Sequence, residues 1–144
     1  MATLGDVETL AADETGLCVV ATTRADGSIH ASVVNAGLMA HPVSGEQCVA
    51  LVARGNARKV SLFGGAGRAS VTFRRGWRWA GVEGPVEVFD RDQAPDGLDY
   101  AGLLRDVFTA AGGTHDDWDA YDRVMAEEQR VAVFVTVARV IGNG

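Results

Sequence analysis

The 144-residue sequence contains few residues that could form disulfides or bind a metal ion. Its two cysteines, Cys18 and Cys48, each lie in an apolar, strand-like run, which favours two buried, reduced thiols over a disulfide or a reactive site. The three histidines are scattered, and neither a Cys-x-x-Cys nor a His-x-x-x-His spacing occurs. We therefore expect no metal ion.

Long hydrophobic runs and a basic N-terminus are also missing. The longest apolar stretch lies within Val131–Ala138, which is far too short to cross a bilayer. Residues 1–15 contain acidic residues and no basic one, so we expect neither a signal peptide nor a transit peptide. The length predicts one domain over residues 1–144, and we expect a cytoplasmic protein with no membrane partner.

One part of the chain has no acidic residue at all. Residues 47–82 carry seven basic residues, a local charge of +7, whereas residues 83–128 carry thirteen acids and three arginines, a local charge of −10. Either the fold joins the two segments in surface ion pairs, or the basic segment binds a small polyanion. Nucleic acid fits less well, because the acidic remainder of the surface would repel a phosphate backbone.

Strand-like patterns dominate the chain, and an Asp26-Gly27 turn between the first two predicts a hairpin. The predicted strands are Leu17–Thr23, Ser28–Asn35, Gln47–Arg54, Arg68–Arg75, Arg78–Phe89 with a bulge or edge at Gly84-Pro85, and Val131–Ile141. The helical segments are Leu4–Ala12, Ala57–Phe63 with Asn56 as N-cap and Gly64-Gly65 as its end, Leu98–Ala111, and one that follows a Thr114/Asp117 capping box. This order predicts a mainly β protein, an antiparallel barrel of six or more strands with two or three helices across one side.

The segment Arg54-Gly55-Asn56-Ala57-Arg58-Lys59 is the best candidate for a binding site. It places three cations at the start of a helix that follows a strand, where free backbone amides and the positive end of the helix dipole favour an anion. No dinucleotide-binding, Walker or nucleophile-elbow motif occurs, so the sequence favours neither a Rossmann site nor a hydrolase triad.

Two further features concern single side chains. Trp77 and Trp79 are spaced to share one strand face, where they could pack in the core, line a flat ring or form a subunit interface. His30 shares a strand face with Ser32, and we interpret it as a hydrogen-bonded surface histidine rather than as a proton donor.

An ordered set of short motifs resembles the flavin/deazaflavin split β-barrel superfamily, also called pyridoxamine 5′-phosphate oxidase-like, and in particular its actinobacterial branch that uses coenzyme F420. The motifs are Val19–Gly27, Arg58-Lys59, Arg68–Ser70, Gly76-Trp77 with Glu83-Gly84, His115–Tyr121, Arg130-Val131 and Val140–Gly142. The resemblance implies homodimers with two cofactor sites along the subunit interface.

The same resemblance implies roles for particular residues. Lys59 and the backbone amides that follow it, from Val60 onward, match the turn that holds the phosphate of the cofactor, and Trp77 falls near the interface. Ser32, Val34 and Asn35 match the strand beside the ring system.

Three positions in this turn, Ala57, Val60 and Ser61, often carry basic residues in the family. We expect Arg54 and Arg58 to supply the missing charge.

These features predict an oxidoreductase that transfers a hydride between a deazaflavin, coenzyme F420, and a small conjugated acceptor. One alternative is an FMN-dependent oxidase or reductase of the same fold, although the +7 segment suits the long anionic tail of a deazaflavin better than the compact phosphate of FMN. Another alternative is a non-catalytic protein that carries the same ligand. The sequence identifies no catalytic residue.

Overall fold

The computed structural model describes residues 1–143 and contains seven strands and four helices in that range. The strands are β1 (Leu17–Thr23), β2 (Ile29–Ala40), β3 (Gln47–Arg54), β4 (Arg68–Arg75), β5 (Arg78–Phe89), β6 (Arg130–Thr136) and β7 (Arg139–Gly142). The helices are α1 (Leu4–Asp13), α2 (Arg58–Ala66), α3 (Tyr100–Ala110) and α4 (Trp118–Glu127).

Six of the strands close into an antiparallel barrel. The order around it is β4-β1-β2-β3-β6-β5, and a direct pairing of β4 with β5 completes the ring, while β7 pairs along part of β5. This architecture confirms the predicted split barrel of six or more strands, and four helices stand where the sequence predicts two or three.

The barrel interior is filled by the alternate side chains of its strands. In β1, Cys18, Val20 and Thr22 are buried while their neighbours are more exposed, as the period of two requires. Helices α1 and α2 pack against this interior cluster, α2 through the fully buried ring of Phe63. Helices α3 and α4 lie outside the barrel, over a second cluster built on β3, β5 and β6.

The Gly84-Pro85 step is a corner in β5. Before it, Ala80–Glu83 pair with β7, and after it, Val86–Phe89 pair with β6. A Cβ atom on Gly84 would collide with the backbone of Thr136, so only glycine permits this approach.

The predicted last strand is wrong in its extent. The segment Val131–Ile141 forms two strands, because the chain leaves β6 after Thr136 and the Val137 N–H donates to the Gln47 carbonyl at 3.1 Å. Within β6, the alternate residues Val131, Val133 and Val135 are buried in the barrel.

Three predicted helix boundaries are also wrong. The N-cap of α2 is Ala57 rather than Asn56, and the helix runs through Gly64-Gly65 to a left-handed C-cap at Gly67, with φ of 70°. The N-cap of α4 is Asp117, which accepts from the Ala120 N–H at 3.1 Å, so Thr114 does not cap this helix.

Both cysteines are buried and unbonded to each other, as predicted. Burial raises the pKa of the Cys18 thiol to about 12 and also raises that of Cys48, so both stay protonated near neutral pH. No helix among residues 1–143 has the length and apolarity that a membrane span needs.

Alanine substitutions at two glycines should change the free energy of unfolding in opposite directions. We expect Gly37→Ala to lower the free energy of unfolding by about 1–3 kcal/mol, because a Cβ there would collide with the Ala110 backbone at the end of α3. Gly64→Ala should raise it by about 0.5–1 kcal/mol, since this position within α2 has open space around it and Gly is a poor helix former. Chemical denaturation of both variants measures the two effects, and a neutral Gly37→Ala would show that α3 is not held against β2 at this point.

Candidate functional site

Strand β2 changes its hydrogen-bonding partner part-way along its length. Residues Ile29–Asn35 pair with β1, whereas Ala36–Ala40 pair with β3. The last residues of β3, from Val52 to Arg54, pair only with β6 on their other side. The strands therefore separate at this point, and the split leaves the facing edges of β2 and β3 open.

A cavity of about 640 Å³ lies at this split, between the open strand edges, the start of α2 and helices α3 and α4. This volume is within the range of ordinary cofactor and small-ligand sites. It is lined by Thr15, Val34, Asn35, Val52, Ala53, Arg54, Ala57, Lys59, Val107, Phe108, Ala111, Gly113, Tyr121, Met125 and Arg130.

One side of the cavity is cationic. Arg54 ends β3, Lys59 is the second residue of α2 and Arg130 begins β6, and none of the described residues that line the cavity is acidic. The backbone N–H groups of Arg58 and Lys59 have no backbone acceptor within residues 1–143, as expected for the first turn of a helix. Three cations on one side of the cavity, together with two free amides at the start of α2, can bind a phosphate or carboxylate.

The charges of the basic segment are mostly not neutralised by the acidic segment. Within the described structure, a single ion pair joins residues 47–82 to residues 83–128, that of Arg54 with Glu128 at 3.1 Å. Lys59 takes part in no ion pair of residues 1–143. Of the two sequence interpretations, surface ion pairing between the segments therefore accounts for little, and the geometry favours an anion site.

The opposite side of the cavity is apolar and aromatic. Val107, Phe108 and Ala111 come from α3 or its C-cap, and Tyr121 and Met125 come from α4, one helical turn apart. The Tyr121 hydroxyl donates to the Leu104 carbonyl at 3.1 Å, and burial raises its pKa to about 12. This wall offers flat contact area to the ring of a ligand, and the phenol of Tyr121 within it stays neutral.

The cavity brings together four of the eight cofactor-binding residues predicted from the sequence. These are Val34, Asn35, Arg54 and Lys59. The Asn35 amide donates to the Thr15 carbonyl at 2.9 Å, so its orientation at the edge of the cavity is fixed.

The other four predicted residues lie elsewhere. Arg58 is exposed and its guanidinium donates to the Ser61 hydroxyl at 3.4 Å, and the Val60 amide already donates to the Ala57 carbonyl at 3.1 Å. Ser32 faces the barrel interior, where its hydroxyl has no partner within the described residues. Trp77 lies in the turn between β4 and β5 and is almost fully exposed.

Sequence reasoning missed Arg130 and the wall from α3 and α4. In the sequence Tyr121 stands out only as the end of the His115–Tyr121 motif, and apolar residues four apart on a helix, such as Tyr121 and Met125, are the usual sign of core packing. Arg130 stood out only as part of the Arg130-Val131 motif, which gives it no role in binding, and only the β3–β6 register places it opposite Arg54.

The structure contradicts the interpretation of His30 as a hydrogen-bonded surface residue. Its side chain is partly buried on the inner face of β2, and its Nδ1 atom is buried without a hydrogen-bond partner in residues 1–143. It does not line the cavity.

No known protein-family model matches the chain. Among solved structures, a protein named F420 reductase matches 93% of this chain and 94% of its own, with 14% identity and a TM-score of 0.62. A heme-binding protein from Mycobacterium smegmatis matches 100% of this chain and 56% of its own, with 17% identity and a TM-score of 0.64.

A candidate pyridoxamine 5′-phosphate oxidase from Lactobacillus delbrueckii matches 97% of this chain and 93% of its own, with 12% identity and a TM-score of 0.57. Identities this low concern the fold and do not carry a ligand or an activity from one protein to another. The chain has the split β-barrel fold of the pyridoxamine 5′-phosphate oxidase-like proteins.

Proposed function

We propose that this protein is a cytoplasmic oxidoreductase that transfers a hydride between a deazaflavin, coenzyme F420, and a small conjugated organic acceptor. The observation that supports this most strongly is the composition of one cavity. Arg54, Lys59 and Arg130 stand on one side and an apolar, aromatic wall stands on the other, with no acid among the described lining residues. A planar ring with an anionic tail matches both sides.

The residues present fit such a cofactor. Lys59 and the free amides of the first turn of α2 would hold a phosphate, and Val34 and Asn35 would lie beside the ring. When bound, the deazaflavin supplies the hydride chemistry. The protein binds the anionic group, orients the ring and excludes water with the wall of α3 and α4.

Two alternatives remain with the same cavity. FMN would place its single phosphate at Lys59 and leave the remaining cations without a ligand group. A non-catalytic carrier is favoured by one observation: the one phenol in the described lining, Tyr121, donates its hydroxyl to the Leu104 carbonyl and has a raised pKa, and Lys59 is assigned to the anionic group.

We further propose that the protein is a homodimer. The outer face of β1 and β2 exposes Leu17, Val19, Ile29 and Val33, with exposed fractions of 42–67%. Such a contiguous apolar face marks an interaction surface, and a twofold dimer is the commonest way to bury it. Trp77, 94% exposed in the turn that joins two strands, is available for the same contact.

The cofactor is tested by titrating the purified protein with coenzyme F420 and with FMN, followed by turnover assays with conjugated acceptors. We expect tighter binding of F420, and an affinity that falls as salt is raised, because exposed charges are screened over about 8 Å at physiological ionic strength. FMN retained through purification, or equal affinities, would favour the FMN enzyme. Tight F420 binding without turnover of any acceptor would favour the carrier.

Lys59 is the residue on which the anion site depends most. A charge-assisted hydrogen bond of this kind contributes ~1.5–3 kcal/mol, so Lys59→Ala should weaken F420 binding on the order of tenfold to a hundredfold. Calorimetric titration measures this, with the melting temperature of the ligand-free protein expected to stay nearly unchanged. Arg58→Ala removes the same charge one residue away and should have the smaller effect, since the Arg58 side chain does not line the cavity. Wild-type affinity in Lys59→Ala would place the ligand elsewhere.

The dimer is tested by Val33→Glu, which places a charge in the middle of the exposed apolar face. We expect light scattering to show a dimer for the wild type at micromolar concentration and a monomer for this variant. Val124→Glu is the matched control, because Val124 is similarly apolar and exposed at 44% but lies on α4. A monomeric wild type would contradict the proposal.

A further inference from the structure

Two arginines lie directly opposite each other at the mouth of the cavity. Arg54 and Arg130 are paired residues in the β3–β6 ladder, an arrangement in which like charges destabilise a sheet. The carboxylate of Glu128 bridges them: Oε2 accepts from Arg54 Nη2 at 3.1 Å, and Oε1 accepts from Arg130 Nε at 2.9 Å. Arg130 Nη2 lies 2.8 Å from the same Oε1.

The backbone holds this triad in place. Helix α4 ends at Glu127, and Gln129 adopts a left-handed conformation with φ of 50° before β6 begins. The Gly55 N–H donates to the Gln129 carbonyl at 3.0 Å, and a Cβ on Gly55 would lie 2.6 Å from that oxygen. Because Gly55 lacks a Cβ, the ends of β3 and β6 can approach closely enough for one carboxylate to reach both guanidinium groups.

The carboxylate that joins the two arginines is not itself part of the cavity lining. Arg54 and Arg130 line the cavity and Glu128 does not. A guanidinium has five N–H donors, so most donors of both arginines remain available to a ligand. The hydrogen bond from Arg130 and the charges of both arginines lower the pKa of Glu128, which keeps its carboxylate ionised near neutral pH.

We propose that Arg130 is a ligand-binding residue, that Arg54 and Arg130 together bind a second anionic group of the ligand, and that Glu128 is the positioning residue that aligns them. This inference rests on the proposed function for its cofactor, and it narrows the ligand to one with two separate anionic groups. Lys59 belongs to a different element, the start of α2, and it takes the first group. The paired arginines on the β-strands take the second, which a ligand with a single phosphate does not supply.

The role of Glu128 can be separated from simple electrostatics. Removing an acid near an anion site strengthens anion binding if the acid acts only through its charge. A positioning residue has the opposite effect, because without its carboxylate the two arginines repel each other and separate. Glu128→Gln should therefore weaken binding of a ligand with two anionic groups severalfold, whereas the neighbouring Glu127→Gln, an exposed residue of the same charge, should leave it unchanged or slightly stronger.

The experiment is calorimetric titration with inorganic phosphate, inorganic tripolyphosphate, FMN and coenzyme F420. We expect Arg130→Ala to weaken tripolyphosphate and F420 about tenfold, the loss of one charge-assisted interaction, and to change phosphate and FMN far less. Arg130→Lys should recover part of the loss, since it keeps the charge but not the forked donors. Arg123→Ala, on the exposed face of α4, is the matched control. Circular dichroism checks that each variant is folded. If Arg130→Ala does not fold, the two single variants Arg130→Gln and Glu128→Gln give the same comparison.

The outcomes distinguish this inference from the proposed function. Binding of F420 that depends on Lys59 but not on Arg130 or Glu128 overturns the inference and leaves the proposed function standing. Binding of tripolyphosphate that depends on Arg130, with no binding of F420 or FMN, supports the inference and overturns the proposed cofactor. Equal weakening of phosphate and tripolyphosphate by Arg130→Ala, tighter binding by Glu128→Gln, or no binding of any probe overturns the inference.

Discussion

The change of partner along β2 is the constraint on which the candidate site depends. A regular ladder over its whole length would close the gap between β2 and β3 and leave no room for a ligand. The switch is held at Ala36, whose N–H donates to the Gly16 carbonyl at 2.8 Å, and Gly16 itself has a φ of +73°. At the next residue, Gly37 lets the backbone of Ala110 approach, which brings α3 over the opening. Small residues at the switch thus permit both the opening and the close approach of α3, which covers it.

The cations of the cavity come from three elements that are separate in sequence. Arg54, Lys59 and Arg130 converge because β3 leads into α2 on one side and pairs with β6 on the other. Bringing like charges together is unfavourable, and the fold offsets this with a single carboxylate, that of Glu128, rather than with one acid for each cation. A site with excess positive charge and no acid in its described lining electrostatically favours the binding of an anion.

Most of the barrel could be predicted from the sequence, because strand alternation and the Asp26-Gly27 turn are local signals. Predictions failed where local signals are ambiguous. The valine-rich run through Val137 is interrupted only by Thr136, itself a good strand former, and the end of β6 is set by its pairing with β3, not by composition. Gly64-Gly65 looks like a helix end, yet tertiary packing of the neighbouring Phe63 carries α2 past it.

The site was predictable only in part, for a related reason. Lys59 and Arg54 belong to one continuous segment with a recognisable pattern, so the sequence identified them, whereas Arg130 joins them through a register that no local pattern reveals. Trp77 presents a different case, because a single copy of the chain leaves it almost fully exposed and away from the cavity lining. Burying a side chain this large contributes more than almost any other single contact, so its exposure, together with that of Val33 on the β2 face, supports the homodimer proposed above. A role for Trp77 in ligand binding therefore depends on that proposed dimer, because within one chain Trp77 does not line the cavity.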